Sequence, residues 1–387
     1  DMTMKRYCEN ALQYSLLGDP AMRLHLPKEC IVIDSINGIA LSRATESVAL
    51  KAGSLASVSG HVEGHDTFNG VVTLNVRDNL ETIACRGNDP SLSVDPFEFT
   101  DRQNTIFSGS ARVNNGAFNM TFAVPKDINY SNKTGLINVF AINDERTVTA
   151  NGHCSNFIVG GSDIAPNDSV GPSLYCYLNS PDFVNGGNVN TTPYFVAQIN
   201  DKDGINASGS GVGHDLQLII DGRADLTYSL NDNFQFDFGS YTSGSTYYNI
   251  PTLTPGPHSL VFRAWDIQNN MSEACLQFNV VMGLQPAFGL AVTKNPARES
   301  TTFVITHDRA GADVSVVIDV FDMSGRHLWR HEENNVCTDS TYTINWNLTL
   351  DDGSRLQTGV YLYRAHVTTD GGTAISKGNK LVVIGNK

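Results

Sequence analysis

The chain has 387 residues, of which 41% are hydrophobic and 17% charged, and it carries a net charge of −14. Nucleic acid and anionic membrane surfaces both demand clustered Lys and Arg, so this acidic balance speaks against either as a partner. No run of about 18 apolar residues exists to span a bilayer, and enough apolar residues are present to build ordinary cores, which argues against disorder.

The first predicted element is a helix. From Met4 to Leu17 the residues Met4, Tyr7, Cys8, Ala11, Leu12, Ser15 and Leu16 recur at three- and four-residue intervals, the spacing of one buried helix face. Gly18 and Pro20 then stop it, because glycine accepts the left-handed cap and proline has no N–H to continue. In "AMRLHLP" the residues Met22, Leu24 and Leu26 alternate with Arg23 and His25, the period of a half-buried strand. One helix and one strand cannot bury their apolar faces alone, so residues 1–30 are expected to be the end of a larger α/β unit. The opening "DMTMKRYCEN" has neither the basic flank nor the apolar core of a signal peptide, so any secretion signal is expected upstream.

After residue 30 the pattern changes to many short strands punctuated by 34 Gly and 14 Pro across the chain, the all-β profile. "VALKA", "LASVSGHV", "GVVTLNV", "FNMTFAV" and "TGLINVFAI" predict a first β-sandwich over 31–161. The Gly, Pro, Ser and Asp of "GGSDIAPNDSVGPS" form a linker, as such composition does. "PYFVAQI", "HDLQLIIDG", "NFQFDFG", "GPHSLVFRAWD" and "LQFNVVM" predict a second sandwich over 162–284, and "VSVVIDVFDMSGRHLW", "TYTINWNL", "GVYLYRAHVT" and "KGNKLVVI" a third over 285–387. The fold class expected is three consecutive Ig-like β-sandwiches, each two antiparallel sheets around one core.

Seven cysteines, at 8, 30, 85, 154, 176, 275 and 337, include no C-x-x-C pair, which disfavours zinc, and their odd number leaves one thiol over. Two readings stand: bridges Cys85–Cys154 and Cys176–Cys275, or buried free thiols acting as small apolar side chains. Asp201, Asp203, Asn206 and Asp215 gather in "INDKDGINASGSGVGHD". Oxygen ligands on a turn suit calcium, but Gly204 follows Asp203 at once and no Glu closes an EF-hand ring, so a solvated hairpin whose Asp and Gly residues set turn geometry is the competing reading. His214 beside Asp215, and His65 beside Asp66, are not expected to form oriented pairs, because adjacent strand residues point to opposite faces. Eight N-x-S/T sequons, at Asn119, Asn129, Asn132, Asn167, Asn190, Asn206, Asn270 and Asn347, are what an Asn- and Thr-rich chain yields by chance.

The most specific signal is an ordered series in the third unit: "NPA" at 295–297, "VVIDVFDMSGRHLW" at 316–329, "WNLTLDDGSRLQTGVYLYR" at 346–364 and "KGNKLVVI" at 377–384. It resembles the C-terminal sorting domains of the bacterial type IX secretion system, with one departure: Asn347 to Leu350 lengthens the step between Trp346 and Asp351. "LLGDPAMRL" in turn resembles the segment that closes the caspase-like catalytic domain of the gingipain family of cysteine peptidases. Together they resemble the sortase of the type IX system. The resemblance implies a cysteine endopeptidase and transpeptidase at the bacterial surface, which removes the C-terminal domain of secreted cargo and joins cargo to anionic lipopolysaccharide. It implies further that the His/Cys dyad precedes Asp1, so that no residue of this chain is catalytic, Cys8 and Cys30 included, and that no cofactor is needed. The same resemblance implies that the sorting-type unit persists and holds the enzyme to an outer-membrane β-barrel protein, PorV. Strand addition at an open sheet edge is one reading of that contact, and edges blunted by loops and charges are the competing one. Two classes compete with it: an exported adhesin or hydrolase with a cleavable sorting domain, and a purely structural stalk of sandwiches.

Overall fold

The computed structural model describes residues 26–43, 47–85, 97–163, 168–209, 213–337, 339–369 and 371–385. The expected helix over 4–17, and all but the last two residues of the alternating segment after it, lie outside the described residues, as does most of the expected α/β remnant. Among the described residues the chain is all-β, with two short 3-10 turns at Ala224–Leu226 and Asn231–Asn233.

Alternation explains most strands directly. In Leu55–Val62 the residues Ala56, Val58 and Val62 are buried, and in Gly70–Arg77 the residues Val72, Leu74 and Val76 are fully inside, each strand giving one face to a core. The buried residues fall into three separate apolar clusters, in chain order.

Around the first cluster, Thr105–Val113, Gly70–Arg77, Leu136–Asn143 and Thr149–Cys154 lie side by side. Glu29–Ile36 serves two sheets: Glu29 and Cys30 pair in parallel with Ala150 and Asn151, whereas Ile31 onward pairs antiparallel with Leu55–Val62. A three-stranded sheet of Lys133–Thr134, Phe157–Ser162 and Val48–Ala52 completes the unit. A separate two-stranded sheet pairs Glu81–Ala84 with Glu98–Asp101, with Phe97 and Phe99 exposed.

The second core lies between a four-stranded sheet (Ser173–Leu178, Tyr194–Asn200, Ser243–Asn249, Gln235–Phe236) and a five-stranded one (Asn188–Val189, Met271–Val280, Gly256–Trp265, Gln217–Ile220, Thr227–Ser229). Phe195 of one sheet meets Phe262 of the other at 5.3 Å between ring centroids. The third core lies between Phe288–Val292, Thr301–His307 and Thr341–Trp346 on one side and His327–Cys337, Asp313–Phe321, Gly359–Thr369, Gly372–Ile375 and Asn379–Val383 on the other. Phe303 is its centre, within 5.8 Å of the Trp329 and Trp346 rings and 5.4 Å of Tyr363.

The first and second units are tied by apolar and polar contacts. Phe236 and Tyr241 of the second pack against the first core, and the Phe107 and Phe236 rings stand 5.0 Å apart. Lys126 donates its Nζ to the Gln268 carbonyl at 2.7 Å. Between the second and third units the linker is held by Arg309, whose Nη2 donates to the carbonyls of Leu284 at 3.2 Å and Gln285 at 3.3 Å.

Candidate functional site

The sequence motifs of the third unit each build one local device. In "DMSGR" the Asp322 Oδ1 accepts the backbone N–H of Ser324 at 2.9 Å and of Arg326 at 3.0 Å, while Oδ2 meets Arg326 Nε at 3.1 Å. Gly325 takes φ +88°, the left-handed conformation that glycine adopts without strain. The Ser324 hydroxyl, the two N–H groups and the guanidinium together hold the Asp322 carboxyl down at about 2. A carboxyl depressed on folding adds stability above its ordinary value of 3.8 and loses it as pH falls through the folded value. Asp78, Asp201 and Asp266 are raised instead, burial being the first cause in each, so they bind a proton more readily when folded and favour the fold as pH falls. Thermal unfolding followed from pH 5 to pH 2 is therefore expected to show a flatter acid limb for Asp322→Asn than for the parent chain, and an unchanged limb would contradict the assignment.

"NPA" and the last strand clasp one another. Asn295 accepts the Val382 N–H at 2.9 Å and donates Nδ2 to the Lys380 carbonyl at 2.8 Å, and Ala297 pairs with Val383 through a parallel bridge. Asn295 thus stands where a neighbouring strand would, which covers the outer edge of Asn379–Val383. Asn379 in turn donates toward the Leu290 carbonyl of the edge strand Phe288–Val292 at 3.4 Å. The long edge strand His327–Cys337 carries Arg330, Glu332 and Glu333 and suffers two register shifts against its neighbour, both devices that blunt an edge.

One buried carboxylate organises the outer face of the five-stranded sheet. Asp319 lies in register with Arg330 on one side and Arg364 on the other. Its oxygens stand 3.1 Å from His327 Nε2, 3.6 Å from Arg330 Nη1, 3.7 Å from Arg364 Nε and 3.7 Å from His366 Nε2. Arg364 also lies over the Phe321 ring at 5.0 Å. The two guanidinium groups in register with it offset the burial of this carboxyl group.

The oxygen-rich loop of the second unit splits its residues among separate tasks. Asp201 Oδ1 accepts the N–H groups of Asp203 and Gly204 at 2.8 and 3.1 Å, a turn built by a side chain. Asp203 meets Lys202 at 3.2 Å, and burial raises the Asp215 carboxyl. Asn206, fully buried, donates to Asp127 Oδ2 at 2.8 Å. Among the described residues no group of three or more His, Cys, Asp or Glu side chains is arranged to hold a metal ion.

His214 has a partner that its sequence neighbourhood does not reveal. Its Nδ1 stands 2.8 Å from Asp127 Oδ2 of the first unit, its ring meets Trp265 edge-on at 4.5 Å, and Asn269 donates to Asp127 Oδ1 at 2.9 Å. The knot is a clasp between units, 87 residues apart in sequence for the His–Asp pair. His65 likewise meets Glu29 at 2.7 Å. Two sequon asparagines, Asn190 and Asn206, are fully buried.

No family model and no curated protein matches the sequence. Several solved structures are similar along most of the chain. One is the dimeric latent PorU from Porphyromonas gingivalis, 34% identical over 96% of this chain, with a TM-score of 0.44. This chain spans 35% of that protein's length. Domains FN1–FN3 of chicken CNTN1 cover 92% of this chain and 97% of their own at 10% identity and a TM-score of 0.21. SGBP-B of Bacteroides ovatus, solved with a mixed-linkage heptasaccharide, covers 92% and 71% at 11% identity and a TM-score of 0.25. The last two are too distant and superpose too loosely to bear on this chain. No helix among the described residues is long and apolar enough to cross a membrane.

The cysteines decide between the two readings. Cys30, Cys85, Cys154, Cys176 and Cys275 are all free thiols, so neither Cys85–Cys154 nor Cys176–Cys275 is bridged. Cys154 is buried in the first core while Cys85 lies exposed just after the strand Glu81–Ala84, and Cys176 packs on the second core while Cys275 faces outward. Thiols turned to opposite faces cannot meet at disulfide distance. Burial pushes the Cys176 thiol up to about 12 and raises Cys154 as well, the reverse of what a nucleophilic thiolate needs. Cys8 lies outside the described residues.

Proposed function

We propose that this chain is the scaffold and docking region of a type IX secretion sortase, related to PorU, whose caspase-like catalytic part precedes it. In this reading the whole protein is a gingipain-family cysteine endopeptidase and transpeptidase. It removes the C-terminal domain of secreted cargo at the cell surface and hands the new carboxyl end to an amine on anionic lipopolysaccharide through a thioester on its upstream cysteine. The three β units carry no part of that chemistry. They present the catalytic part and hold it to the outer membrane through the β-barrel protein PorV.

The observation that carries the reading is the third unit, where "NPA", "DMSGR", "WNLTLDDGSRLQTGVYLYR" and "KGNKLVVI" occur in the order of a type IX sorting domain. The 34% identity to PorU along 96% of the chain points the same way. Docking by strand addition gains little support from the edges already covered by Asn295 and Asn379, so side-chain surfaces of the third unit are the better candidates for the contact with PorV.

Two measurements test the proposal. The open reading frame upstream of Asp1 is expected to encode a caspase-like unit with a His/Cys pair. The native surface protein is expected to keep residues 285–387 in its peptide map. An upstream sequence without that unit overturns the reading, and loss of 285–387 on maturation overturns it in favour of an exported adhesin or hydrolase.

A further inference from the structure

A cleft of about 610 Å³ lies where the second and third units meet. One wall is the outward face of the four-stranded sheet. Phe195, Ala197 and Ile199 of Tyr194–Asn200 turn into the core, so Tyr194 and Val196 turn out, and Tyr177 on the neighbouring strand sits opposite Val196. Tyr194 and Tyr177 line the cleft, backed by Tyr247 at 5.8 Å and Tyr175 at 5.6 Å between centroids. The other wall brings Phe288, Asp308 and Asp339 from the third unit.

The charge of this cleft is one-sided. No Lys or Arg is among the residues that line it. Arg309, beside it in sequence, is turned inward with its side chain 1% exposed and is spent on Asp308 at 2.6 Å. Burial lowers His307, so its imidazole is neutral near pH 7. Tyr194 is pushed up to about 12, by burial first and then by Tyr247 and Asp339, and keeps its proton. Asp339 is exposed, and no Lys or Arg stands beside it among the described residues that line the cleft. Aromatic faces beside an uncompensated carboxylate, with no cation at hand, are the chemistry that receives an ammonium or a guanidinium.

We propose that this cleft takes a lysine or arginine side chain presented by another polypeptide. The cation sits against the Tyr194 and Tyr177 rings with Asp339 as its counter-charge. A single long side chain does not fill the volume, and the hydroxyls of Ser180, Thr306 and Ser340, which also line the cleft, supply donors and acceptors for the flanking peptide backbone. A neutral sugar would use the rings and hydroxyls but would leave the carboxylate without a role.

Calorimetric titration of the whole chain with short Gly-Ser peptides carrying one central Arg, Lys, norleucine or Glu tests this directly. The Arg and Lys peptides are expected to bind about tenfold more tightly than the norleucine peptide, and less tightly as salt is raised. Tyr194→Ala and Asp339→Asn are each expected to weaken the Arg peptide by roughly three- to thirtyfold, whereas Tyr194→Phe keeps the ring and holds parent affinity. Unfolding midpoints equal to the parent's confirm that the variants fold. Equal binding of all four peptides, binding of none at about 1 mM, or binding of maltohexaose in their place overturns the proposal. The outcome leaves the sortase reading untouched, since the titration concerns this cleft alone.

Discussion

Arg309→Ala is expected to destabilise the third unit by about 3–5 kcal/mol, the usual cost of removing one partner from a buried ion pair. The guanidinium is nearly sealed from water and does four things at once. It meets Asp308 Oδ2 at 2.6 Å, donates to the Asp308 carbonyl at 3.3 Å, and donates to the linker carbonyls of Leu284 and Gln285. Truncation leaves the carboxylate without its counter-charge and three carbonyls short of a donor, and it opens a void where the largest fully buried side chain among the described residues stood. Arg309→Met refills most of the void without restoring the donors, so its loss is expected to be smaller but real. Urea unfolding read by tryptophan fluorescence checks both, because Trp329 and Trp346 belong to the third unit and Trp265 to the second. A loss below about 1 kcal/mol for the alanine variant would mean that the linker is held by something other than Arg309.

That arginine also marks where the sequence stops being readable. The strands were legible because alternation is local: Val72, Leu74 and Val76 announce one buried face within eight residues. The pairing of "ETIA" with "EFTD" escaped because neither run buries a face, so no hydrophobic period existed to read. The role of "NPA" was equally hidden. The motif was visible, but that Asn295 would mimic a strand for Lys380 and Val382 depends on residues 85 and 87 positions away. The His214–Asp127 clasp and the mismatch of Cys176 with Cys275 follow from which face each strand turns inward and which unit lies next to it. Tertiary packing decides such matters, and spacing along the chain carries no trace of them. The cleft of Tyr177, Tyr194 and Asp339 belongs to the same kind, since its two walls come from different units.

Phe303→Ala is the second substitution with a large expected effect, about 3–5 kcal/mol for truncating a fully buried aromatic ring. Phe303 is wholly inside, and three rings close around it: Trp329 at 11° and Trp346 at 28°, both stacked, and Tyr363 at 65°, edge-on. Trp329 and Trp346 also stack on one another at 4.6 Å, so the void cannot be refilled by moving one ring without unseating the other. The near-UV circular dichroism of the third unit is expected to fall with its stability, because that signal comes from the fixed geometry of these tryptophans. Val360→Ala, on the same fold but 41% exposed, is expected to stay within about 0.5 kcal/mol of the parent. The contrast matters for the proposed function, because Trp329 and Trp346 sit in two of the four sequence segments on which that proposal rests. Asp322 and Asn295 hold turns and an edge at the rim, and the aromatic cluster holds the two sheets on which they stand. On the proposed tether role, Phe303→Ala is expected to abolish surface retention of the full protein along with the fold of this unit, whereas Asp322→Asn, a change at the rim, is expected to spare retention at neutral pH. Retention of the Phe303→Ala protein at parent level would show that the third unit is not the tether.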